Sequence, residues 1–594
     1  MTNLPEPAQR WKFLPLWGNC GLPPPVRSAI FLFMPPPPPA PDSYRRDLAL
    51  LALVFGLLYF FQLGDSNLVN PDESRYGEIS REMVASGDYV LPRLNGVYYF
   101  EKPPLMYWIV AGFLKVFGPD EFAMRATPAL FALAGVLLTY AATRRLHDRR
   151  AGLAAAIVLG TSLLYFALAR ILILDMAVSV LMTATLYCFI LGVHEPPGAR
   201  RRWLFYGLYA SAALATLTKG LIGFLVTGAV MFLWLLIFNQ WRRLRPFYLA
   251  TGAILFLAIA APWHLLAAQR SEAWAHFYFI HEHWERFTTT VGHDRYQPWW
   301  YFIPVVLGGF FPWMGFLWPA VRDALAGGWA RRHENARAWF FVLWAGFIFL
   351  FFSKSHSKLI PYILPVFPPL AVLLGAWISR VVTEDARPRL RAGVWIYSLA
   401  ATGLGLGLAY AMLRPGIIRH ASQLIALRAD GLYCSFVLLA SAGAVHWLWR
   451  NRHAFTVVLT MAAAVMVLLL ALADSQDKIA RPGTRELAYL FKAHAKPGDK
   501  VYHYAEYFHD FSYYAECEAG VIGDVGELEL PIDPAAQASG RFIEESEFRR
   551  QWTGPGRIWA VARKTETTRL FADPAFRYYL LEESRSHYLF SNQP

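Results

Sequence analysis

Long apolar segments constrain this chain more than any other feature of its sequence. Thirteen recur from residue 48 onward, at 48–64, 127–143, 151–168, 174–193, 204–218, 220–239, 248–267, 299–319, 339–353, 359–378, 393–413, 432–449 and 455–473. Most approach the roughly 20 residues that a helix needs to cross the hydrocarbon core of a bilayer. With 56% hydrophobic and only 17% charged residues, the chain is too apolar for an ordinary soluble protein. The sequence therefore predicts a polytopic α-helical membrane protein with about 13 transmembrane helices.

Basic residues indicate how these segments are oriented. They occur in short clusters between the apolar segments, at Arg45 and Arg46, 144–150, 198–203, 242–246, 330–337, 387–391 and 450–453. The apolar segment at 105–118 is too short to span a membrane, and without it all of these clusters lie on the same side of the membrane. That side is expected to be the cytoplasmic one, where positive charge is enriched. The net charge of +13 therefore reports topology and gives no reason to expect nucleic acid as a partner. The loops 65–126, 268–298 and 353–358 are expected on the outer side.

The two ends of the chain differ from the part between them. Residues 1–47 carry the proline runs "LPPPV" and "MPPPPPAP", which preclude helix and sheet, so a disordered cytoplasmic tail is expected there. The transmembrane domain then covers residues 48–474. From 475 to 594, strand-like pieces such as "KVYHYAEYF" and "RIWAVAR" accompany the helix-like "TRELAYLFKAHA", which predicts a small α/β domain on the outer side.

The first outer loop is unusually polar for a chain of this composition. Its stretch "NPDESRYGEISREMVAS" predicts a helix with Asn70 as its N-cap and Pro71 at its first position, and Gly87 can end it. One face of that helix would carry Asp72, Arg75, Tyr76, Ile79 and Met83. A helix lying on a lipid surface would show the same amphipathic pattern. The following "YYFEKPPL" places Glu101 and Lys102 before a short apolar helix, so both helices are expected along the outer membrane surface.

Further charges accumulate on the same side. Asp175 follows Arg170 at the start of an apolar segment, where a carboxylate is costly unless it faces a cavity or a partner, and an ion pair with Arg170 is one explanation. The loop 353–358 carries Lys354, His356 and Lys358 just before Tyr362. Interfacial lysines often extend toward the headgroups, but two with a histidine on the side where basic residues are disfavoured suggest an anion site, with lipid phosphate as the anion.

The loop 268–298 contains histidines and glutamates that could bind a divalent ion. They are His276, His281, Glu282, His283 and Glu285, in "HFYFIHEHWERF". Zinc accepts such ligands, but neither HExxH nor another diagnostic spacing occurs. A solvated interfacial helix therefore explains the pattern equally well.

Several of these segments resemble one known family. "DESRYGEISREMVASGDYVLPRLNGVYYFEKPPLMYW", at 72–108, closely resembles the signature of the bacterial lipid-linked aminoarabinose transferases, within the protein-mannosyltransferase-like superfamily. "ARILILDMAV", "ATLTKGLIG", "APWH", "EHWERF" and "SHSKLIPYILP" follow in the order found in that family. The resemblance covers roughly residues 48–370 and implies a GT-C type membrane fold. It also implies a sugar donor carried on undecaprenyl phosphate, lipid A as acceptor, and an active site on the periplasmic face of the bacterial inner membrane. No P-loop or nucleotide-binding domain is apparent, so no nucleotide is expected.

The resemblance also implies roles for individual residues. Departure of a polyprenyl phosphate leaves positive charge on the sugar ring and negative charge on the phosphate, so such a site needs carboxylates and cations together. Asp72 and Asp175 match the two acidic positions of the family. Residues expected to bind the substrates are Arg75, Tyr76, Lys102, Lys358 and Tyr362. Glu101 and His283 are the expected pair for a divalent metal such as zinc, with His281 as a close competitor.

Two other functions remain open from the sequence. A superfamily member that moves mannose or another hexose onto protein Ser or Thr would share Asp72 and Lys102, but it would need a base to activate a neutral hydroxyl. A flippase for lipid-linked sugars would be expected to show inverted repeats with broken spans in matching halves. We find no such symmetry in the sequence.

Overall fold

Helices build most of the structure, a computed structural model that describes residues 41–280, 296–414, 425–479 and 483–594. In the first part of the chain they are α1 (Pro41–Phe60), α2 (Asp72–Ser86), α3 (Leu105–Phe117), α4 (Glu121–Leu146), α5 (Arg149–Gly160), α6 (Leu163–Ala169), α7 (Leu174–His194), α8 (Ala199–Lys219), α9 (Ile222–Phe238), α10 (Leu249–Arg270) and α11 (Glu272–His276). They continue as α12 (Phe302–Gly309), α13 (Leu317–Ala324), α14 (Ala336–Lys354), α15 (Phe367–Thr383), α16 (Arg391–Leu413), α17 (Arg428–Asn451), α18 (Ala454–Asp474) and α19 (Gln476–Ile479). Short 3-10 turns include Trp241–Leu244, Trp313–Phe316, Trp329–Arg331, Ile360–Val366 and Arg387–Leu390.

Each predicted apolar segment contains a helix, but not every helix qualifies as a span. Eight helices of the described residues are long and apolar enough to cross a membrane. Two bent pairs, α5 with α6 and α12 with the segment Trp313–Ala324, raise that number to ten if each pair is one span. Outside this set lie α1, whose first half carries Arg45, Arg46 and Asp47, α8, which begins with three arginines, and the shorter α9. The count of thirteen therefore stays a prediction.

The core of the helical region lies around α7 and α15. Among the candidate spans, 78% of the apolar window of α7 and 83% of that of Ile360–Thr383 is buried inside the protein, against 17% for α10. Packing of α7 on α4, α8 and α9, and of α15 on α5 and α14, produces this arrangement. Aromatic side chains contribute to this core, such as Tyr187 of α7, which lies edge-on to Trp344 of α14 with ring centroids 5.5 Å apart. α10 lies at the periphery of the bundle.

The C-terminal segment forms the predicted α/β domain. Its strands are β3 (Lys500–Ala505), β4 (Gly520–Gly523), β5 (Phe542–Ile543), β6 (Ile558–Arg563), β7 (Tyr579–Glu583) and β8 (His587–Ser591), and its helices are α20 (Arg485–His494), α21 (His509–Ala515), α22 (Pro534–Gln537), α23 (Glu545–Trp552) and α24 (Thr568–Phe571), with a 3-10 turn at Leu530–Ile532. They form one sheet in the order β5-β4-β3-β6-β8-β7, parallel from β5 to β6 and antiparallel from β6 to β7. The predicted boundary at 474 falls at the end of α18.

The sheet domain packs closely on the first loop. In that loop a small hairpin, β1 (Arg93–Leu94) and β2 (Val97–Tyr98), separates α2 from α3. α3 contributes Met106, Val110 and Leu114 to one apolar cluster with Leu487 and Phe511 of the domain. α2 packs on α21 as well as on α3. The loop that carries the predicted site is therefore enclosed between the helical bundle and the domain. That α2 and α3 lie along the outer membrane surface stays a prediction.

Candidate active site

The helix α2 begins and ends close to its predicted limits, but its cap differs from the prediction. It starts at Asp72, and Pro71 precedes it without a capping side chain. The carboxamide of Asn70 accepts a hydrogen bond from the Ser74 hydroxyl instead, so the predicted N-cap role of Asn70 is wrong. Gly87 ends the helix at φ 72°, and its N–H bonds the carbonyl of Met83. That left-handed backbone conformation favours glycine.

A buried ion pair fixes α2 to the bundle. Glu73 and Arg125 of α4 are both fully buried, and two hydrogen bonds of 2.8 and 3.0 Å join them. Glu73 also accepts the backbone N–H groups of Val69 and Leu172 at 2.9 and 2.8 Å. Such a pair holds its elements rigidly because a buried charge without its partner is costly. The first turn of α2 thus has a defined position beside the start of α7.

Asp72 and Arg75 meet a residue of the C-terminal domain. Arg75, whose side chain is 6% exposed, forms ion pairs with both Asp72 and Glu527. Asp72 remains half exposed, so one carboxylate of this set is open to a substrate. Sequence reasoning missed Glu527, because nothing near it in the chain indicates that it meets α2.

Tyr76 lies where several predicted residues converge. Its ring is 5.1 Å from the Arg75 guanidinium and 6.0 Å from the ring of Tyr107. Burial, and after it the negative charges of Asp72, Glu101 and Asp175, raise the pKa of Tyr76, while Arg75 lowers it. The charges of three carboxylates, from α2, the loop after β2 and α7, therefore act on one phenol.

Asp175 is held by a lysine that sequence reasoning did not select. Lys219, the last residue of α8, donates to Asp175 at 2.5 Å and lies 4.4 Å from the ring centroid of Tyr362. Arg170 instead donates to the carbonyls of Tyr59, Phe61 and Gln62 at the end of α1. Of the two explanations open from the sequence, the ion pair with Arg170 is therefore wrong, and Asp175 pairs with Lys219. The sequence did contain a signal for Lys219, because a lone lysine at the end of an apolar helix is as costly as the Asp175 carboxylate at the start of one.

The two other predicted cations occupy different surroundings. Lys102 lies 3.7 Å from the Glu101 carboxylate, and both side chains are mostly buried. Lys358 is 4% exposed and donates to the backbone carbonyls of Gln297, at 2.7 Å, and Ser355. Burial lowers the pKa of Lys358. Lys354 and His356 stay exposed, so the three basic residues of this loop do not share one environment.

The described residues do not complete a metal site. They contain no group of three or more His, Cys, Asp or Glu side chains that could hold a metal ion. Glu101 has a cation next to it, and His276 ends α11. His281, Glu282, His283, Glu285 and Arg286 lie outside the described residues. The pairing of Glu101 with His283 stays a prediction.

Fold and site together define a polytopic membrane protein of the GT-C type, with charged residues gathered between its helices and a C-terminal sheet domain. The apo oligosaccharyltransferase of Archaeoglobus fulgidus shares this fold, with a TM-score of 0.51 at 14% identity over 88% of this chain and 69% of that chain. Residues 101–265 match the family described as dolichyl-phosphate-mannose-protein mannosyltransferase.

Closer relatives identify the family. The undecaprenyl phosphate-alpha-4-amino-4-deoxy-L-arabinose arabinosyl transferase of Pectobacterium carotovorum is 34% identical over 369 residues, 60% of this chain and 65% of the relative. The second such enzyme of Proteus mirabilis is 30% identical over 430 residues, 70% of this chain and 75% of the relative. ArnT from Cupriavidus metallidurans, bound to undecaprenyl phosphate, has a TM-score of 0.80 at 28% identity over 93% of this chain and 98% of that chain. The chain belongs to the family of undecaprenyl phosphate-aminoarabinose arabinosyl transferases. Its match spans about 65% of the length of the Pectobacterium relative.

Proposed function

We propose that this protein transfers 4-amino-4-deoxy-L-arabinose from undecaprenyl phosphate to a phosphate of lipid A. The active site and the C-terminal domain then lie on the periplasmic face of the bacterial inner membrane, and the modification confers resistance to polymyxin and other cationic peptides. The observation that carries the proposal is a set of neighbouring carboxylates and cations, in which Asp72 pairs with Arg75, Asp175 pairs with Lys219 and Glu101 lies beside Lys102. Family membership supports the choice of donor and sugar.

The carboxylates suit the developing charge on the sugar. As the bond from the anomeric carbon to the phosphate oxygen lengthens, positive charge grows on the ring, and a fixed carboxylate stabilises it. Asp72 is half exposed and is the one we assign to this position. Asp175 is held by Lys219 and supports the sugar or its amine. A lipid A phosphate is already an anion, so the acceptor needs no general base.

The cations suit the leaving phosphate. Lys102 and Lys358 are each oriented by fixed oxygens, and cations whose contacts strengthen as charge grows on the leaving group lower the barrier. Tyr362 lies beside Lys219, and Tyr76 lies beside Arg75. Arg75 is already paired with Asp72 and Glu527, so a bound phosphate would have to exchange with one of these carboxylates.

Transfer is tested with purified protein, undecaprenyl phosphate-linked aminoarabinose and lipid A, followed by mass spectrometry of the lipid product. The wild type should add one aminoarabinose to lipid A. Asp72→Ala should abolish the product, while Asp65→Ala, an exposed acid of the same loop, should retain it. No product from wild type would reject the proposed function, and sugar on a Ser/Thr peptide instead would identify a protein glycosyltransferase.

A divalent ion held by Glu101 and His283 is a separate proposal. The described residues contribute Glu101 alone, beside Lys102, so no step above depends on a metal. Metal analysis of the purified protein tests it directly: a stoichiometric divalent ion in wild type that disappears in both Glu101→Gln and His283→Ala would establish the pair. Equal metal content in all three proteins would rule it out.

A further inference from the structure

The hairpin between α2 and α3 is held at its tip from two sides. The turn is Asn95–Gly96, with φ 53° and 72°, the residue pair that two-residue hairpin turns favour. From one side Ala519 of the C-terminal domain exchanges two hydrogen bonds with the Asn95 carboxamide, at 2.8 and 2.9 Å. From the other side Glu82 of α2 accepts the N–H of Gly96 at 3.0 Å.

The position of this tip matters because the hairpin leads directly into the candidate active site. β2 ends at Tyr98, and Glu101 and Lys102 follow within four residues. The turn is tightly packed against the C-terminal domain, since a Cβ on Gly96 would lie 2.7 Å from Arg541 and 2.9 Å from Glu518. Contacts of the tip therefore determine where the hairpin places Glu101 and Lys102.

Glu82, which accepts the Gly96 N–H, lies in an environment that disfavours a negative charge on its carboxyl group. It lies one helical turn from Glu78, and both are buried, with 6% and 0% exposure. Arg81 gives two hydrogen bonds, of 2.7 and 2.8 Å, to Glu78. Oε1 of Glu82 is buried and has no hydrogen-bond partner among the described residues. Burial, and next the charge of Glu78, raise the pKa of Glu82 to about 8.

The other charged groups around Glu82 do not compensate for a second buried carboxylate. On the domain side Arg541 is paired with Glu518 at 2.6 Å, and on the hairpin Arg93 lies 3.7 Å from Asp533. The remaining titratable groups facing the pair are neutral or acidic, namely Tyr507 and Cys517 of the domain. A proton on Oε1 of Glu82 is the simplest way to leave one negative charge opposite Arg81.

We propose that Glu82 is a positioning residue that acts in its protonated form, holding the hairpin tip so that Glu101 and Lys102 are presented to the lipid-linked donor. The role of these two residues in the reaction rests on the proposed function above, whereas the hold on the hairpin does not. Ionisation of Glu82 strengthens its single bond from Gly96 but leaves a second buried carboxylate beside Glu78. Because the burial cost is the larger effect, the hairpin is held most firmly while Glu82 keeps its proton.

The sign of the pH dependence follows from the two states. A carboxyl with a pKa of about 8 in the docked hairpin and an ordinary value of 4.5 once exposed keeps a proton in the docked state that the open state releases. Docking therefore weakens as the pH rises between these two values, by up to about tenfold per pH unit for one proton, and does not change further above them.

Hydrogen exchange of the hairpin amides tests this without reference to activity. In purified wild type, protection of the 93–98 segment, corrected for intrinsic exchange, should fall between pH 6 and pH 8 by up to about tenfold per unit and then level off. Glu82→Gln keeps an acceptor but cannot ionise, so its protection should not vary with pH. Glu121→Gln is the matched control, because Glu121 is a buried acid at the same domain contact that bonds Arg485 and Tyr514, and it should retain the wild-type pH dependence.

A second readout separates this inference from the proposed function. If wild type transfers sugar, its kcat should fall together with the hairpin protection between pH 6 and pH 8, and this fall should be absent in Glu82→Gln. Equal pH dependence of protection in wild type and Glu82→Gln would overturn the inference even if sugar transfer is found. A loss of hairpin protection with rising pH in wild type, but not in Glu82→Gln, would support the inference even if the natural donor proves to carry another sugar.

Discussion

Replacing Arg125 by Met should destabilise this protein more than almost any other single substitution in the first loop. Arg125 is fully buried and donates six hydrogen bonds, two to Glu73 and four to oxygens of Leu63, Ser66 and Asn67. Met fills much of the same volume but donates none. The variant leaves Glu73 as a buried carboxylate whose remaining partners are two backbone N–H groups.

The expected cost follows from that uncompensated charge. Removing one partner of a buried ion pair costs about 3 to 5 kcal/mol. Removing both charges costs less, because no bare carboxylate remains, so the double variant Arg125→Met with Glu73→Gln should be more stable than Arg125→Met alone. The half-exposed pair of Arg389 and Glu384, at 3.0 Å, provides the comparison, and Arg389→Met should cost about 1 kcal/mol or less.

Thermal unfolding of wild type and the three purified variants in detergent gives the ranking. We expect Arg389→Met to unfold near wild type, the double variant below it, and Arg125→Met lowest of all. Ranking is the appropriate measure because unfolding of large proteins is often irreversible. A double variant no more stable than Arg125→Met would show that the buried charge of Glu73 is not what makes the single substitution costly, and the reasoning would fail.

Three further outcomes are expected. Lys219→Met removes the 2.5 Å contact to Asp175 and should slow transfer on the order of a hundredfold in single-turnover assays, whereas Lys115→Met, which lies over Tyr89, should not. Because burial lowers the pKa of Lys358, its charge is lost at a lower pH than that of an ordinary lysine. In the Glu82→Gln background, where the hairpin contributes no pH dependence, Lys358→Arg stays protonated and should move the alkaline limb of the pH–rate profile upward; an unchanged limb there would contradict a role for that charge. Asn95→Ala removes both bonds to Ala519 and should weaken hairpin protection at every pH, by about 1 to 3 kcal/mol in hydrogen exchange.

Local patterns in the sequence were sufficient for much of the architecture. Short apolar runs rich in aromatic and β-branched residues, in "KVYHYAEYF" and "RIWAVAR", predicted β3 and β6, and both strands are buried over most of their length. The strand order was not accessible in this way, since β8 pairs with β6 through contacts that no local pattern encodes. Gly87 ends α2 as predicted, because this prediction depended only on the backbone conformation of that one residue.

The site was accessible only in part, for a related reason. Asp72, Arg75 and Tyr76 share a helix face, so their proximity follows from helical geometry. The burial of α2 does not follow, because its charged residues meet Arg125 and Glu527, one far along the chain and the other in the C-terminal domain. An amphipathic helix with such partners looks the same in sequence as one lying on a membrane. Lys219 could have been found by the argument that selected Asp175 at the start of α7, applied to the end of α8.

The contact between Asn95 and Ala519 also determines when the site can form during synthesis. The two residues are separated by 424 positions, and at 5–20 residues per second the ribosome needs about 20 to 85 s to cover that distance. During this interval the first loop has been made, while the domain residues that hold its hairpin and pair with Arg75 do not yet exist. The nascent protein therefore passes through a stage in which its membrane helices can insert and pack while the hairpin still lacks its anchor. Truncation before the final sheet would leave every nascent chain at that stage.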